Sequence, residues 1–199
     1  MAVSRSSLVA AVTAGLLAAG SVVVMATPSA AAVSRFDDGS FEYPTAPANA
    51  FTTLAAGQSI GPWKVVSGSV DLIGAGFWQA AEGNQSVDLN GNQTGAVSQT
   101  FSTIVGRTYT VTYALASNPA GAPTVKTGRV LVDGQNFQDF SFDSTGKTFT
   151  AMGYVQRQVT FVANAPTTTL GFVSTQPGAY GPVIDDVRVT AGSPCSCTG

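Results

Sequence analysis

The 199-residue chain contains no histidine. That absence excludes a Ser-His-Asp triad, a Cys-His dyad and any zinc or iron site built on imidazole. Charge is scarce as well: nine Lys+Arg and eleven Asp+Glu, 10% of the residues, leave a net charge of −2. With no basic excess, the chain is not equipped to track a phosphate backbone, so nucleic acid is not an expected partner. Cysteine is confined to Cys195 and Cys197, near the C-terminus. A ring closed over one intervening residue would be strained and would constrain little, and two thiols alone do not make a metal site. Residues 192–199 therefore read as a flexible tail, with a local or an intermolecular disulfide as the alternatives. The body must stand on its core.

What is present points to export and to β-structure. Arg5 is the only charge before an uncharged Ala/Leu/Val/Gly run from Leu8 to Met25, which Thr27-Pro28 interrupts and Ala30-Ala31-Ala32 follows. A positive start, an apolar middle and an A-x-A end make a secretory signal over residues 1–32, cleaved after Ala32. An uncleaved anchor is the alternative, the run being borderline for spanning. Residues 33–191 then form one domain, expected to be extracellular and away from the membrane once the signal is removed. Apolar residues, 44% of the whole chain, are enough for a core. Tyr109, Val111, Tyr113 and Leu115 alternate with Thr108, Thr110, Thr112 and Ala114. The same period of two recurs around Val87 and Leu89, Phe140 and Phe142, Val155 to Phe161, Leu170 and Phe172, and Val183 to Val189. Asn90-Gly91, Asn118-Pro119, Asp133-Gly134, Thr145-Gly146 and Pro177-Gly178 punctuate these runs. Roughly ten short strands at about ten-residue spacing, without an amphipathic helix, predict an all-β fold: a two-sheet antiparallel β-sandwich.

An ordered series of motifs adds to this pattern. Asp38-Gly39-Ser40-Phe41-Glu42 is followed by the segment Trp63 to Ile73 and by Gly83-Asn84-Gln85-Ser86-Val87-Asp88-Leu89-Asn90-Gly91. Ser98-Gln99-Thr100-Phe101, Gly106-Arg107-Thr108-Tyr109, Asn118-Pro119, Met152-Gly153-Tyr154 and Gly181-Pro182-Val183-Ile184-Asp185-Asp186-Val187 complete it. Over about residues 36–190 the series resembles the bacterial choice-of-anchor C family and the plant cell-wall proteins grouped as domain of unknown function 642. The resemblance implies a galactose-binding-like jelly roll, secretion and an association with cell-wall or other extracellular polysaccharide. It implies no known reaction.

Carbohydrate recognition needs flat aromatic faces beside Asp, Asn or Gln. Gly76-Phe77-Trp78-Gln79 sets two rings on opposite sides of an extended segment, so one packs inward while the other faces out. Trp78, with Gln79 beside it, is the preferred stacking ring, core packing being its alternative. Tyr180, in the loop Pro177 to Pro182, divides between stacking and loop packing. Trp63 reads as core. Asp88 and Asn90 lie opposite Val87 and Leu89, outward or toward a groove; Asp71 follows the same pattern without singling itself out. Asn84 and Asn92 each head a glycosylation sequon, relevant only in a glycosylating host.

Asp185, counted by twos from Val183 to Val187 and Val189, points inward. A buried carboxylate needs a cation or a set of donors. Glu42 near the other terminus, with Asp185 and Asp186, would suit a structural calcium ion, and pairing with Arg188 or Arg157 or plain hydrogen bonding is the alternative. No catalytic role is expected. A glycosidase pair could be drawn from Glu42, Glu82 and nine Asp, yet nothing sets one carboxyl in an apolar pocket beside a second, ionised one. A lyase using Tyr, Lys or Arg needs no histidine and is harder to exclude. The reading is a non-catalytic carbohydrate-binding module, against an adhesive protein that binds another wall protein.

Overall fold

The computed structural model describes residues 35–192, and the expected signal segment and the cysteine tail lie outside them. Twelve strands follow one another: β1 (Phe51–Ala55), β2 (Ser59–Ile60), β3 (Trp63–Ser67), β4 (Ser69–Ile73), β5 (Ser86–Asp88), β6 (Ala96–Ser102), β7 (Thr108–Ser117), β8 (Val125–Val132), β9 (Gln135–Asp143), β10 (Val155–Val162), β11 (Thr167–Ser174) and β12 (Pro182–Ala191). They form two six-stranded antiparallel sheets. Sheet A runs β1-β4-β5-β12-β7-β10 and sheet B runs β2-β3-β6-β11-β8-β9. No helix occurs among the described residues. Gly192, assigned to the tail by sequence, is tied down: its N–H donates to Thr108 O at 2.8 Å and its carbonyl accepts Arg107 Nε at 2.9 Å.

The alternating residues do what their period requires. Tyr113 of sheet A meets Phe172 and Phe140 of sheet B at ring-centroid distances of 5.1 and 6.1 Å, which fixes the inner face of β7. Leu115 shares that face, and its cross-strand partners carry it along: Ile184, then Val87, then Leu72. Trp63 is fully buried among Phe36, Phe41 and Phe172, with Nε1–H donating to Asp38 O at 2.9 Å. Asp133-Gly134, both at positive φ (49° and 78°), turn β8 into β9 as a two-residue hairpin whose twist matches the strands.

The other face of sheet A is the one that matters for function. By the same register it carries Thr53, Asp71, Asp88, Val183 and Ala116 in one row, and Phe51, Ile73, Ser86, Asp185 and Ala114 in the next. Much of this face is dry: Asp88, Ser86, Asp185 and Asn90 are fully buried. Loops over residues 74–85 and 175–181 cover it.

One register expectation fails here. Between Asp185 and Arg188 strand β12 advances three residues while β7 advances two, from Ala114 to Thr112. Asp186 at φ 47° sits in this bulge. Counting by twos across it reverses the face, so Asp185 lies on the loop-covered side rather than between the sheets. It is buried as expected, but on the opposite side of the sheet.

Phe172 stands at the centre of the inter-sheet contact, against both Trp63 and Tyr113. Phe172→Ala should lower the unfolding free energy by about 3–5 kcal/mol, read from the urea midpoint at unchanged slope.

Candidate functional site

Three carboxylates latch the loops onto sheet A. Asp185 Oδ2 accepts the N–H groups of Ala81 and Glu82 at 2.7 and 3.0 Å, and Oδ1 accepts Asp186 N–H at 2.6 Å. Glu42 Oε1 accepts the N–H groups of Asn84 and Gln85, both at 2.8 Å. The 81–85 loop is thus held at both ends by carboxylates from opposite ends of the domain. Asp88 does the same for the loop after β11. Its Oδ1 accepts Gly181 N–H at 3.0 Å and Asn90 N–H at 2.9 Å, and Oδ2 accepts Asn118 Nδ2 at 2.8 Å. Asn90 Nδ2 then donates to Gln176 O and Gly178 O at 2.7 and 2.6 Å. Burial pushes the Asp88 carboxyl up to about 8 and that of Asp185 up to about 7, against the donors that favour the anion. Asp71, directly across from Asp88, adds a smaller like-charge push on it.

Between the latched loops lies a groove of about 240 Å³. One wall is aromatic. Phe77 stands between Phe51 and Phe149 at centroid distances of 5.3 and 5.5 Å, and Trp78 backs Phe149 at 5.9 Å. Tyr180, Asn118, Asn92 and Asp71 complete the lining that matters for chemistry. Phe51, Phe149 and Tyr180 remain 47%, 38% and 43% exposed. Asp71 Oδ1 accepts the Thr53 hydroxyl at 2.6 Å, and burial raises the carboxyl above its ordinary range. The Tyr180 ring rests on backbone: a Cβ at Gly121 would stand 2.0 Å from Tyr180 Cδ2, so only glycine admits the ring there. The Phe149 turn is strapped in turn by Gln79, whose N–H donates to Phe149 O at 2.7 Å and whose Oε1 accepts Met152 N–H at 3.0 Å. Rings and polar groups converge on a concave surface held from several sides.

The model for the family described as "Protein of unknown function (DUF642)" matches residues 34–190, most of the chain. The chain belongs to the DUF642 family. Halomucin of Haloquadratum walsbyi is 28% identical over 149 residues, 73% of this chain but 2% of halomucin, so the DUF642 chain spans a small fraction of that relative's length. Among solved structures, a family 35 carbohydrate binding module from Clostridium thermocellum aligns with TM-score 0.48 and 14% identity, covering 72% of this chain and 99% of that one. The family 35 module of Cellvibrio japonicus Abf62 gives TM-score 0.48 and 17% identity, covering 71% and 95%. That of Paenibacillus barcinonensis gives 0.45 and 19%, covering 71% and 99%.

The DUF642 groove uses the expected residues unevenly. Tyr180 lines it as an exposed ring. Trp78 lines it too, but it is the buried ring of its pair, 5% exposed, with Nε1–H donating to Ser86 Oγ at 2.8 Å, and Phe77 is the half-exposed one. The outward orientation expected of Trp78 is therefore corrected: the buried Ser86 hydroxyl gives the indole a partner beneath the loop. Gln79 straps the Phe149 turn, and its amide also lines the cleft beyond. Asp88 and Asn90 are on the outer face as expected, yet sealed under the 176–181 loop, where they position Tyr180 without lining the groove. Asp71, Asn118, Phe51 and Phe149 were not singled out by sequence. The alternation that set Asp71 opposite Leu72 was the one signal available.

Glu42, Asp185 and Asp186 surround the same loop, but they do not present themselves as calcium ligands. Glu42 and Asp185 are turned onto backbone N–H groups, and Asp186 pairs with Arg188 at 2.7 Å. Among the described residues no three His, Cys, Asp or Glu side chains form a group that would hold a metal ion. The donor set fits the hydrogen-bonded alternative, so addition of calcium or of a chelator should leave the unfolding temperature unchanged; a rise with calcium would show an ion bound to the folded state.

The raised carboxyls set a pH dependence of definite sign. Between about pH 4 and 8 the unfolded chain has released protons that folded Asp88 and Asp185 still hold, so stability falls as pH rises through this window. Denaturant titrations should show a loss of roughly 1–3 kcal/mol for each pH unit between about 5 and 7. Asp88→Asn should reduce that slope, whatever its effect on absolute stability.

Proposed function

We propose that the groove beside Phe149 binds a carbohydrate chain and that the protein is a non-catalytic, exported module working on extracellular or wall polysaccharide. The observation that carries this reading is the convergence of exposed aromatic faces with Asp71, Asn92 and Asn118 in one concave site. Sugar C–H faces stack on rings, and sugar hydroxyls need fixed donors and acceptors at their edges. Both are present on elements locked by buried latches, so little ordering is left to occur on binding. The export signal expected over residues 1–32 and the resemblance to choice-of-anchor C and plant wall proteins support an extracellular setting for such a module.

The lining of the groove argues against hydrolysis. A glycosidase needs two carboxyl groups facing the scissile bond from about 5 to 9.5 Å apart. Asp71 is the only carboxylate in the lining; Asp88 beside it is fully buried and bound by N–H donors. Gly57-Gln58-Ser59-Ile60-Gly61 has the spacing of a nucleophile elbow, but Ser59 sits in a two-residue strand paired with Lys64, no helix follows, and the chain has no histidine to activate it.

Electrophoresis through gels containing neutral galactan, xylan or a soluble β-glucan tests the reading. At least one polymer should retard the protein. Phe149→Ala and Tyr180→Ala should each weaken that retention by about five- to tenfold with the fold intact, the loss of one stacking face. Unchanged retention in both variants would remove the groove from the account. Release of reducing ends from any of these polymers would contradict the non-catalytic reading.

A further inference from the structure

The groove does not end at Phe149. A saddle of about 310 Å³ over Gly76, Phe77, Trp78, Gln79, Phe149 and Thr150 shares three of its residues with the groove and passes Gln79 and Thr150 on to a larger cleft. That cleft, about 610 Å³, has a different chemistry. It is lined by Gln79, Gln156, Thr150 and Tyr154, with Lys147 as its single charged side chain.

Lys147 is placed, not loose. Its N–H donates to Ser144 O at 2.9 Å within the turn, and its stem crosses Gly153 so closely that a Cβ there would stand 2.6 Å from Nζ and 2.9 Å from Cε. It is half-buried and makes no ion pair among the described residues. Of the acids around it, Asp143 accepts the N–H and hydroxyl of Thr145, Asp186 is held by Arg188 and Gln156, and Asp185 accepts the N–H groups of Ala81 and Glu82. The Tyr154 ring borders this cleft, with its hydroxyl turned inward and buried beside Ser86. A half-buried ammonium facing a cleft of two amides and the Thr150 side chain is arranged to receive an anionic oxygen.

We propose that this cleft is a second subsite, in which Lys147 takes an acidic substituent, a carboxylate or a sulfate ester, of a polysaccharide whose neutral unit occupies the aromatic groove. The inference rests on the groove reading and deepens it. Polarity along the surface runs from Asp71 at the aromatic end, which repels an anionic unit, to Lys147 beyond Phe149, which attracts one. A chain that alternates or mixes neutral and acidic units is thereby bound in one direction. The whole protein carries net charge −2, so attraction of a polyanion cannot come from its overall field and must come from a local site.

Gels containing neutral galactan and xylan, a glucuronoxylan and a partly sulfated galactan, run at low and at moderate salt, test this on the full chain. At least one acidic polymer should hold the protein more tightly than its neutral counterpart, and which of the two does so separates carboxylate from sulfate. Lys147→Gln should weaken retention on that polymer by about fivefold at low salt while leaving the neutral gels unchanged. Lys64→Gln, which removes the same charge from an exposed position on β3, should change neither. Equal retention of Lys147→Gln and wild type on both acidic polymers, an equal loss in Lys64→Gln, or retention on neutral polymer alone would overturn the second subsite and leave the groove reading standing. No retention on any gel would overturn the groove reading and this inference with it.

Discussion

The structure depends on carboxylates buried on backbone N–H groups. Sheet A would ordinarily offer its outer face to water, as one-sided antiparallel sheets do. Here Asp185 and Asp88 draw two loops onto that face, with Glu42 holding the far end of the first, and the two buried aspartates satisfy donors that would otherwise be stranded in a dry layer. Removing one partner of such a contact leaves a buried group unmatched, which costs more than the contact contributes when intact. The arrangement is therefore stiff, and stiffness is what the groove requires. Tyr180 stands where it does because Asp88 and Asn90 hold its loop from below, and Phe149 because Gln79 straps its turn.

The same layer explains how a chain with few charges makes a site with electrostatic direction. Asp71 and Asp88 are cross-strand neighbours, and two anions so placed disfavour each other. Burial eases the conflict: Asp88, the deeper of the two, is pushed toward its neutral form, while Asp71 lines the groove that a ligand meets. Lys147 across the Phe149 turn supplies the opposite sign. Between them the contact is aromatic. Few charges suffice because each stands alone at its own end of the surface, Asp71 in the groove and Lys147 in the cleft.

Much of the architecture was legible from alternation. The β7 pattern from Tyr109 to Leu115, the Asp133-Gly134 turn and the buried Trp63 are found as the sequence predicts. The misreadings share a cause. Period-two reasoning assigns faces but does not know what covers them, so it sets Asp88 and Asn90 on the face away from the core without telling that a loop seals them there. A bulge inserts a residue without a sequence mark, and Asp186 at positive φ was enough to carry Asp185 to the other face. Phe77-Trp78 is not the extended segment that period-two reasoning predicts: a turn at Gly76, φ 81°, brings the two rings to 5.5 Å of each other on one groove, and the hydrogen bond to Ser86, eight residues on, decides which of them the loop buries. Phe51 and Phe149 lie far apart in the chain and meet only through Phe77, a tertiary fact with no local signature.

The central claim is that recognition occurs on the loop-covered face of sheet A, and a backbone amide NMR titration with neutral cello-, xylo- and galacto-oligosaccharides addresses it most directly. The account predicts saturable shifts at Gly91, Asn92, Asn118, Phe149 and Tyr180, with the exposed face of sheet B around Thr127, Arg129 and Ser141 silent. Shifts centred on Thr127, Arg129 and Ser141, with the residues around Phe149 unmoved, would contradict it.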